Sequence, residues 1–348
     1  MEATMPAQRI LVTGGSGFIA GHCLLQLLDE GHRVRATMRS LEKEARVRSE
    51  LEAAGLTRGE NLEFAAADLT SDDGWERALD GVDAVLHVAS PVMPGHVEDE
   101  ARLVATAREG TLRVLRAARD AGVERVILTS AFHAVSWGHA DTGRVFTEED
   151  WTVLDGPGAD AYARSKTLAE QAAWEFARSE PGAPELVTML PVAVMGPLLS
   201  AGASGANHVV LSLLQGAIPA SPHLFFPIVD VRDVARAHVL ALQTPSAAGQ
   251  RYLLSDGPAL EMQEVARILR EHLGEAAAKV PTRSLPNAVV HIAGLFSRQM
   301  RAIVADLGVA KRASHEKAAR ELGWEPRPAQ DAILDAGRSM IAQGLVRS

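Results

Sequence analysis

A doubly wound parallel α/β sheet with a smaller, interleaved C-terminal unit is the fold class this sequence predicts, and three observations predict it. Apolar runs of strand length recur between residues 9 and 191, several lacking the in/out alternation of a half-exposed strand, as expected where both faces are buried. Longer stretches of helical period separate them, the alternation that builds parallel sheets. The first run, Ile10-Leu11-Val12, leads into a glycine-rich turn that opens a helix.

The strands are expected at Arg9–Thr13, Arg33–Met38, Leu62–Ala67, Ala84–Ala89, Arg125–Ser130 and Leu186–Pro191. The helices between them are expected at Gly17–Glu30, Gly74–Leu79, Val97–Ala121 and Ala159–Arg178. After Pro191 the pattern loosens. Loops with Pro and Gly (Pro197–Gly205, Pro219–Pro227) surround short helices. Ile228–Asp233 reads as a strand feeding a helix, Val234–Gln243, and the chain beyond about residue 260 is mostly helical with proline breaks. This organisation assigns 1–191 plus about 227–255 to a cofactor-binding unit, and 192–226 plus about 256–348 to a substrate-binding unit.

Composition narrows the class. A chain of 348 residues with 47% apolar and 23% charged residues can bury a large core and matches ordinary globular enzymes. A net charge of −9 without a long basic run argues against nucleic acid or an anionic membrane as a partner. The single cysteine excludes an intrachain disulfide framework. The N-terminus has no signal-peptide pattern, and the apolar run Ala288–Phe296 is too short to span a bilayer, so a cytoplasmic location is expected.

The turn Thr13-Gly14-Gly15-Ser16-Gly17-Phe18-Ile19-Ala20 places Gly14, Gly17 and Ala20 in the spacing G-x-x-G-x-x-A. Strand, tight glycine turn and helix N-terminus together bring backbone amides to a pyrophosphate, and a small residue at Ala20 lets helix and strand approach. Phe18 and Ile19 open that helix. An acidic residue for a ribose 2′-hydroxyl is absent at the end of the second strand, which runs instead into Arg39-Ser40 with Lys43 following. A guanidinium there suits a 2′-phosphate, so NADP(H) is expected over NAD(H). As solvated surface cations, Arg39 and Lys43 would need no ligand. Asp68-Leu69, closing the third strand, falls where an adenine edge would lie, and an ordinary strand-to-helix turn explains it as well. Ala89-Ser90-Pro91 closes the fourth strand, where the nicotinamide ribose would pass, and Pro191 and Val194 are assigned to the same cofactor.

Tyr162 and Lys166 stand at i and i+4 and share a helix face. A phenol is a poor acid–base group at neutral pH. A neighbouring ammonium is expected to stabilise the phenolate and bring its pKa down. Only two tyrosines occur in the chain, and only Tyr162 has a lysine four residues on.

These segments, with Leu86–Pro91, Thr129-Ser130, Tyr162–Glu170 and the run Ile228–His238 (IVDVRDVARAH), resemble the extended short-chain dehydrogenase/reductases. The narrower similarity is to the dihydroflavonol 4-reductase-like branch that includes yeast methylglyoxal/aldehyde reductases and cinnamoyl-CoA reductases. It runs in order over about residues 9–255. The resemblance implies a Rossmann domain, NADP(H), and reversible reduction of a small hydrophobic carbonyl compound by a Ser–Tyr–Lys triad, in a monomer or homodimer. Nucleotide-sugar epimerases or dehydratases and 3β-hydroxysteroid dehydrogenases share the scaffold, as do non-catalytic NADP-sensing proteins. Arg39 argues against the first, and retention of Tyr162 and Lys166 against the last.

The triad serine is displaced. The family pattern Thr-Ser-Ser reads Thr129-Ser130-Ala131 here, so the catalytic serine falls on Ala131. Three readings stay open: the strand end is reset so that Ser130 enters the site, His133 supplies the donor, or Tyr162 works alone. The twelve histidines show no H-x-x-x-H or H-E-x-x-H spacing with nearby carboxylates, so no metal site is expected. His87 reads as a core group, Tyr252 as structural, and Asp230 and Asp233 as capping or pairing with Arg232. Trp137, Phe225 and Phe226, with the loop residues Pro197, Leu198 and Leu224, could line an apolar pocket or pack the core.

Overall fold

The computed structural model describes residues 7–90, 99–140 and 143–346. Pro91 and Val97, assigned above to a strand end and a helix start, lie outside the described residues. The strands that build the site are β1 (Arg9–Val12), β2 (Arg33–Met38), β3 (Leu62–Ala66), β4 (Ala84–His87), β5 (Arg125–Thr129), β6 (Glu185–Pro191), β7 (Ala193–Met195), β8 (Ile228–Asp230) and β9 (Arg251–Leu254). Seven of them form one sheet in the order β9-β6-β5-β4-β1-β2-β3, with every pair parallel. β7 and β8 pair with each other beside it. The order reverses between β1 and β4, so a crevice opens at their carboxyl ends, where ligands of such sheets bind.

The helices are α1 (Phe18–Asp29), α2 (Glu44–Ala53), α3 (Trp75–Leu79), α4 (Glu100–Asp120), α5 (Ala161–Ser179), α6 (Asn207–Leu214), α7 (Val231–Gln243), α8 (Met262–Leu273), α9 (Asn287–Phe296), α10 (Arg298–Val304), α11 (Glu316–Leu322) and α12 (Ala329–Ala342). Strand β1 shows why the strands read as continuous apolar runs. Ile10 and Val12 enter a core with Leu24 and Leu27 of α1 and Val234 of α7, whereas Leu11 points the other way, into a core with Leu115 of α4 and Ala173 of α5. Burial on both faces removes the need for polar alternation. A third core, with Val210 of α6, Leu269 of α8 and Ile333 of α12, lies in the C-terminal part.

Two elements differ from the sequence reading. Helix α7 begins at Val231, three residues early, because Asp230 caps it: its carboxylate accepts from the Arg232 amide (2.8 Å) and from the Arg232 guanidinium (2.7 and 2.9 Å). Helix α2 was not foreseen. It buries only Val47 and Leu51 in a charged segment, too few apolar positions to show a period. The run Ala288–Phe296 falls within α9, which exposes Val289, Ile292, Leu295 and Phe296. Among the described residues no helix is long and apolar enough to cross a membrane.

Helix α5 is locked to the sheet by a buried ion pair. Glu170, 1% exposed, accepts from Arg251 of β9 (2.8 and 3.4 Å), Ser130 Oγ (2.6 Å), Thr188 Oγ1 of β6 (2.9 Å) and Trp174 Nε1 (3.3 Å). Arg251 spends its remaining nitrogen on the carbonyls of Glu148 (2.5 Å) and Asp150 (2.9 Å) and stacks on Trp151 at 3.7 Å. Glu170→Ala strands the Arg251 charge and is expected to cost about 3–5 kcal/mol of stability, read by urea unfolding. A loss below about 1 kcal/mol would mean the network is incidental to the fold.

Candidate active site

The glycine turn is shaped by what surrounds it. Gly14 has φ +74°, and a Cβ there would lie 3.1 Å from Ala89 Cβ and 3.2 Å from Ala89 Cα. Glycine thus serves twice, admitting the left-handed conformation and letting β1 pass flush against the end of β4. Thr13 ties the same strand ends: its hydroxyl accepts from the Ala89 amide (2.9 Å) and shares a hydrogen bond with His87 Nδ1 (2.8 Å). Gly15 donates to the Thr37 carbonyl (2.8 Å), linking the turn to β2.

Helix α1 starts at Phe18 with no side-chain cap and no acidic residue in its first turn, so the amides of its first turn and the positive end of the helix face outward unneutralised. Ala20 is fully buried in the helix–strand contact. An open cleft lies beside this helix start, lined by Gly15–Phe18, by Val47 and Glu50 of α2 and by the loop Leu198–Ser200. Tyr162 and Lys166 are not part of its wall. Arg39 and Lys43 are exposed past β2, and neither forms a salt bridge among the described residues. The turn, the uncapped helix and these cations fit the phosphates of a dinucleotide.

Asp68 closes an Asx turn. Its carboxylate accepts from the Thr70 amide and hydroxyl (both 2.8 Å), chiefly the former, and those bonds hold its pKa low, with a smaller contribution from Arg39. Leu69 beside it packs against Gly110 of α4. Pro191 ends β6 opposite Leu254, and Val194 pairs with Val229 in the short sheet.

The catalytic candidates meet where α5 faces the end of β4 and the turn after β5. Asp160 caps α5 by accepting from the Ala163 amide (2.7 Å), which sets the first turn carrying Tyr162. Arg164 fastens that turn to the Leu154 carbonyl (3.0 Å) and to Glu100 of α4 (2.8 Å). One turn on, Lys166 is buried and donates to Ser90 Oγ (3.1 Å), so it joins α5 to the end of β4.

Its ammonium lies over the Tyr162 ring, 5.8 Å from the centroid. The expected drop of the Tyr162 pKa is therefore not realised. Although 36% of Tyr162 is exposed, desolvation, with the nearby charge of Asp160, pushes its phenol up to about 12. Burial pulls Lys166 down to about 8, against the charge of Glu170. The Lys166 ammonium donates to Ser90 Oγ and stands 5.8 Å from the ring centroid, and desolvation of the phenol outweighs its influence.

Ser130 is not brought into the site. It is 5% exposed, and its hydroxyl donates to Glu170, two turns beyond Tyr162 on α5. The strand end is not reset, and the Ala131 methyl occupies the next position, with Ala131 starting the single turn Phe132–Ala134. His133, on that turn, is brought in. Its ring meets Tyr162 edge-on, with centroids 4.8 Å apart, and stacks on Trp137 at 3.7 Å. Burial, and then the charges of Lys311 and Lys166, pull its pKa down to about 3, so the imidazole is neutral at working pH.

His87 is buried and neutral for the same chief reason, with a pKa near 3, and its Nε2 has no partner among the described residues. Of the apolar residues considered for a pocket, Leu198 lines the glycine-turn cleft and Phe226 packs on the C-terminal core, whereas Trp137 stacks on His133, the ring that meets Tyr162. The sequence reading did not single out Lys311, which lies over Trp137, or Asp160. A capping pattern before Ala161 could have revealed the second. Among the described residues no group of three or more His, Cys, Asp or Glu is arranged to hold a metal ion.

Comparison with known proteins gives a consistent result. The model of the NAD dependent epimerase/dehydratase family matches residues 10–254. Cinnamoyl-CoA reductase 1 of Arabidopsis thaliana is 38% identical over 275 residues, covering 77% of this chain and 76% of that protein. Cinnamoyl-CoA reductase 1 of Petunia hybrida is 33% identical over 334 residues, covering 94% and 96%. Among solved structures, yeast methylglyoxal/isovaleraldehyde reductase Gre2 complexed with NADPH superposes with a TM-score of 0.79 at 27% identity, covering 97% of this chain and 100% of that one.

Two expectations test these placements. Ser130→Ala is expected to leave kcat/KM of any carbonyl reduction unchanged while costing about 1–3 kcal/mol of stability, because it unpairs a buried hydrogen bond to Glu170. A large loss of kcat/KM with full stability would return Ser130 to the site. Lys166, lowered from 10.5 to about 8, binds fewer protons folded than unfolded between those values. Its cost to stability is full below pH 8 and fades as pH rises toward 10.5. Lys166→Met is therefore expected to stabilise the ligand-free protein at pH 7 by about 1–3 kcal/mol, an advantage that shrinks by pH 10. A destabilised, pH-independent variant would refute this.

Proposed function

The chain belongs to the NAD dependent epimerase/dehydratase family, and from that premise we propose that it is an NADP(H)-dependent oxidoreductase that reduces a small, apolar aldehyde or ketone and runs in reverse as an alcohol dehydrogenase. The observation that carries this reading is the cluster of Tyr162, Lys166, Ser90 and His133 at the crevice where the strand order reverses. The reductase names of the relatives, and the NADPH in the yeast neighbour's structure, support it.

In this reading the amides from Gly14 to Ile19 hold the pyrophosphate, and Arg39 and Lys43 the 2′-phosphate. Asp68 and Leu69 meet the adenine. Ala89, Ser90, Pro191 and Val194 border the nicotinamide end. Lys166, already fixed by Ser90, holds the ribose hydroxyls and Tyr162 together. Bound there, the reduced cofactor supplies the hydride that the carbonyl carbon receives.

Tyr162 supplies the proton to the oxygen. Its phenol, raised by desolvation, carries that proton at neutral pH. His133, neutral and edge-on to Tyr162, stands at the phenol without Ser130 or a residue-131 hydroxyl beside it. We assign to it the second hydrogen bond to the carbonyl oxygen. The ring of Trp137 behind it gives that end of the cleft an apolar wall.

The test is NADPH consumption over a panel of aldehydes and ketones, with NADH as comparison. Tyr162→Phe is expected to lower kcat by roughly 10²–10⁴-fold. His133→Ala is expected to lower it by on the order of 10²-fold, as loss of a preorganised donor does. Full turnover in Tyr162→Phe, or no turnover of any carbonyl by the unaltered protein despite tight NADPH binding, would sink the proposal.

A further inference from the structure

Three rings and a cation stand in one column at the proposed site. Lys311 Nζ lies 3.0 Å from the centroid of the Trp137 ring. The opposite partner of that indole, His133, is stacked nearly parallel to it, at 3.7 Å and 18°. His133 in turn meets Tyr162 edge-on. Tyr162 comes from α5, and His133 and Trp137 from the turn after β5. Lys311 comes from the C-terminal part of the chain, 174 positions beyond Trp137.

The segment bearing Lys311 is held in place. The Gly308 amide donates to the His223 carbonyl (2.8 Å), and Ala305 approaches Gly158 on the loop before α5. The His133 carbonyl accepts from Thr152 Oγ1 (2.7 Å), which also fixes Trp137 by accepting from its amide (3.0 Å). The imidazole is thus gripped from its backbone and from its ring face. No ring nitrogen of His133 is bonded to a described residue, which leaves its N–H available.

We propose that Lys311 and Trp137 are positioning residues that clamp His133 against Tyr162, so that the C-terminal part of the chain completes the carbonyl-binding group that replaces the absent serine. The inference rests on the reading of His133 given above and extends it to residues that touch neither substrate nor cofactor. Cation–π attraction fixes the indole, and the indole fixes the imidazole.

Charge helps to keep the imidazole neutral. The groups facing His133 are Lys311 from the C-terminal segment and Tyr162 and Lys166 from α5. Both ammonium groups disfavour an imidazolium. Lys311 itself is pulled down to about 8 by burial, against the charges of Asp306 and Asp160. Between about pH 3 and 8, then, the imidazole is neutral while the lysine is charged.

The experiment is an NMR titration of the imidazoles in the full-length protein without ligand, with His133 assigned by its disappearance in His133→Asn. In the unaltered protein His133 is expected to stay neutral down to pH 4. In Lys311→Met its midpoint is expected to rise, by less than the full distance to the ordinary 6.5 because burial remains, and Lys311→Arg should retain the unaltered behaviour.

The second readout is activity. With NADPH and the best substrate of the carbonyl panel, Lys311→Met and Trp137→Leu are expected to lower kcat by roughly 10-fold with little change in the KM for NADPH. The acid limb of the kcat profile should move up with the His133 midpoint. An unchanged midpoint in both Lys311→Met and Trp137→Leu overturns the clamp even if the protein reduces carbonyls. Loss of the reductase reading would show separately, in full activity of Tyr162→Phe, and leaves the titration intact.

Discussion

The buried carboxylate of Glu170 is the constraint on which this site depends. A charge removed from water is tolerated only when donors surround it, and Glu170 collects them from Ser130, Thr188, Trp174 and Arg251. Those donors come from the end of β5, from β6, from α5 itself and from the edge strand β9. One interaction therefore sets the register of α5 against the sheet. Lys166 is one turn before Glu170 on the same helix, and Tyr162 one turn before that, so the catalytic candidates inherit their positions from it.

The same constraint accounts for the unusual composition of the site. Once Ser130 donates to Glu170, its hydroxyl proton is not available to a ligand oxygen, and Ala131 has no hydroxyl to offer. The nearest hydrogen-bonding side chain on that turn is His133, which the chain presses against Tyr162 with Trp137 behind it. Burial keeps both Tyr162 and His133 uncharged and makes Lys166 an expensive cation.

Much of this was legible in the residues. Strands β1 to β6 and helices α1, α3, α4 and α5 follow the apolar runs and their periods to within a few residues, because tight burial on both sheet faces leaves a clear pattern. Gly14 and the Tyr162–Lys166 pair were legible because their roles are local: a left-handed turn and a spacing of four. Helix α2 was not, since two buried residues make no period. The start of α7 shifted because the side chain of Asp230 decides it. The i, i+4 spacing predicts a lowered Tyr162 pKa, but spacing does not carry the desolvation and the Asp160 charge that raise it.

Sequence alone was enough to settle the doubly wound sheet, its glycine turn and the face shared by Tyr162 and Lys166, because each is written in contacts between residues close along the chain. The resemblance to the short-chain dehydrogenase/reductases also lays the expected triad serine on Ala131. Tertiary structure decided everything that joins distant segments: that Ser130 faces Glu170, that His133 meets Tyr162, and that Lys311 closes on Trp137. Those contacts arise from how helix, turn and C-terminal segment pack around one crevice, and packing between remote segments leaves no period or spacing to read.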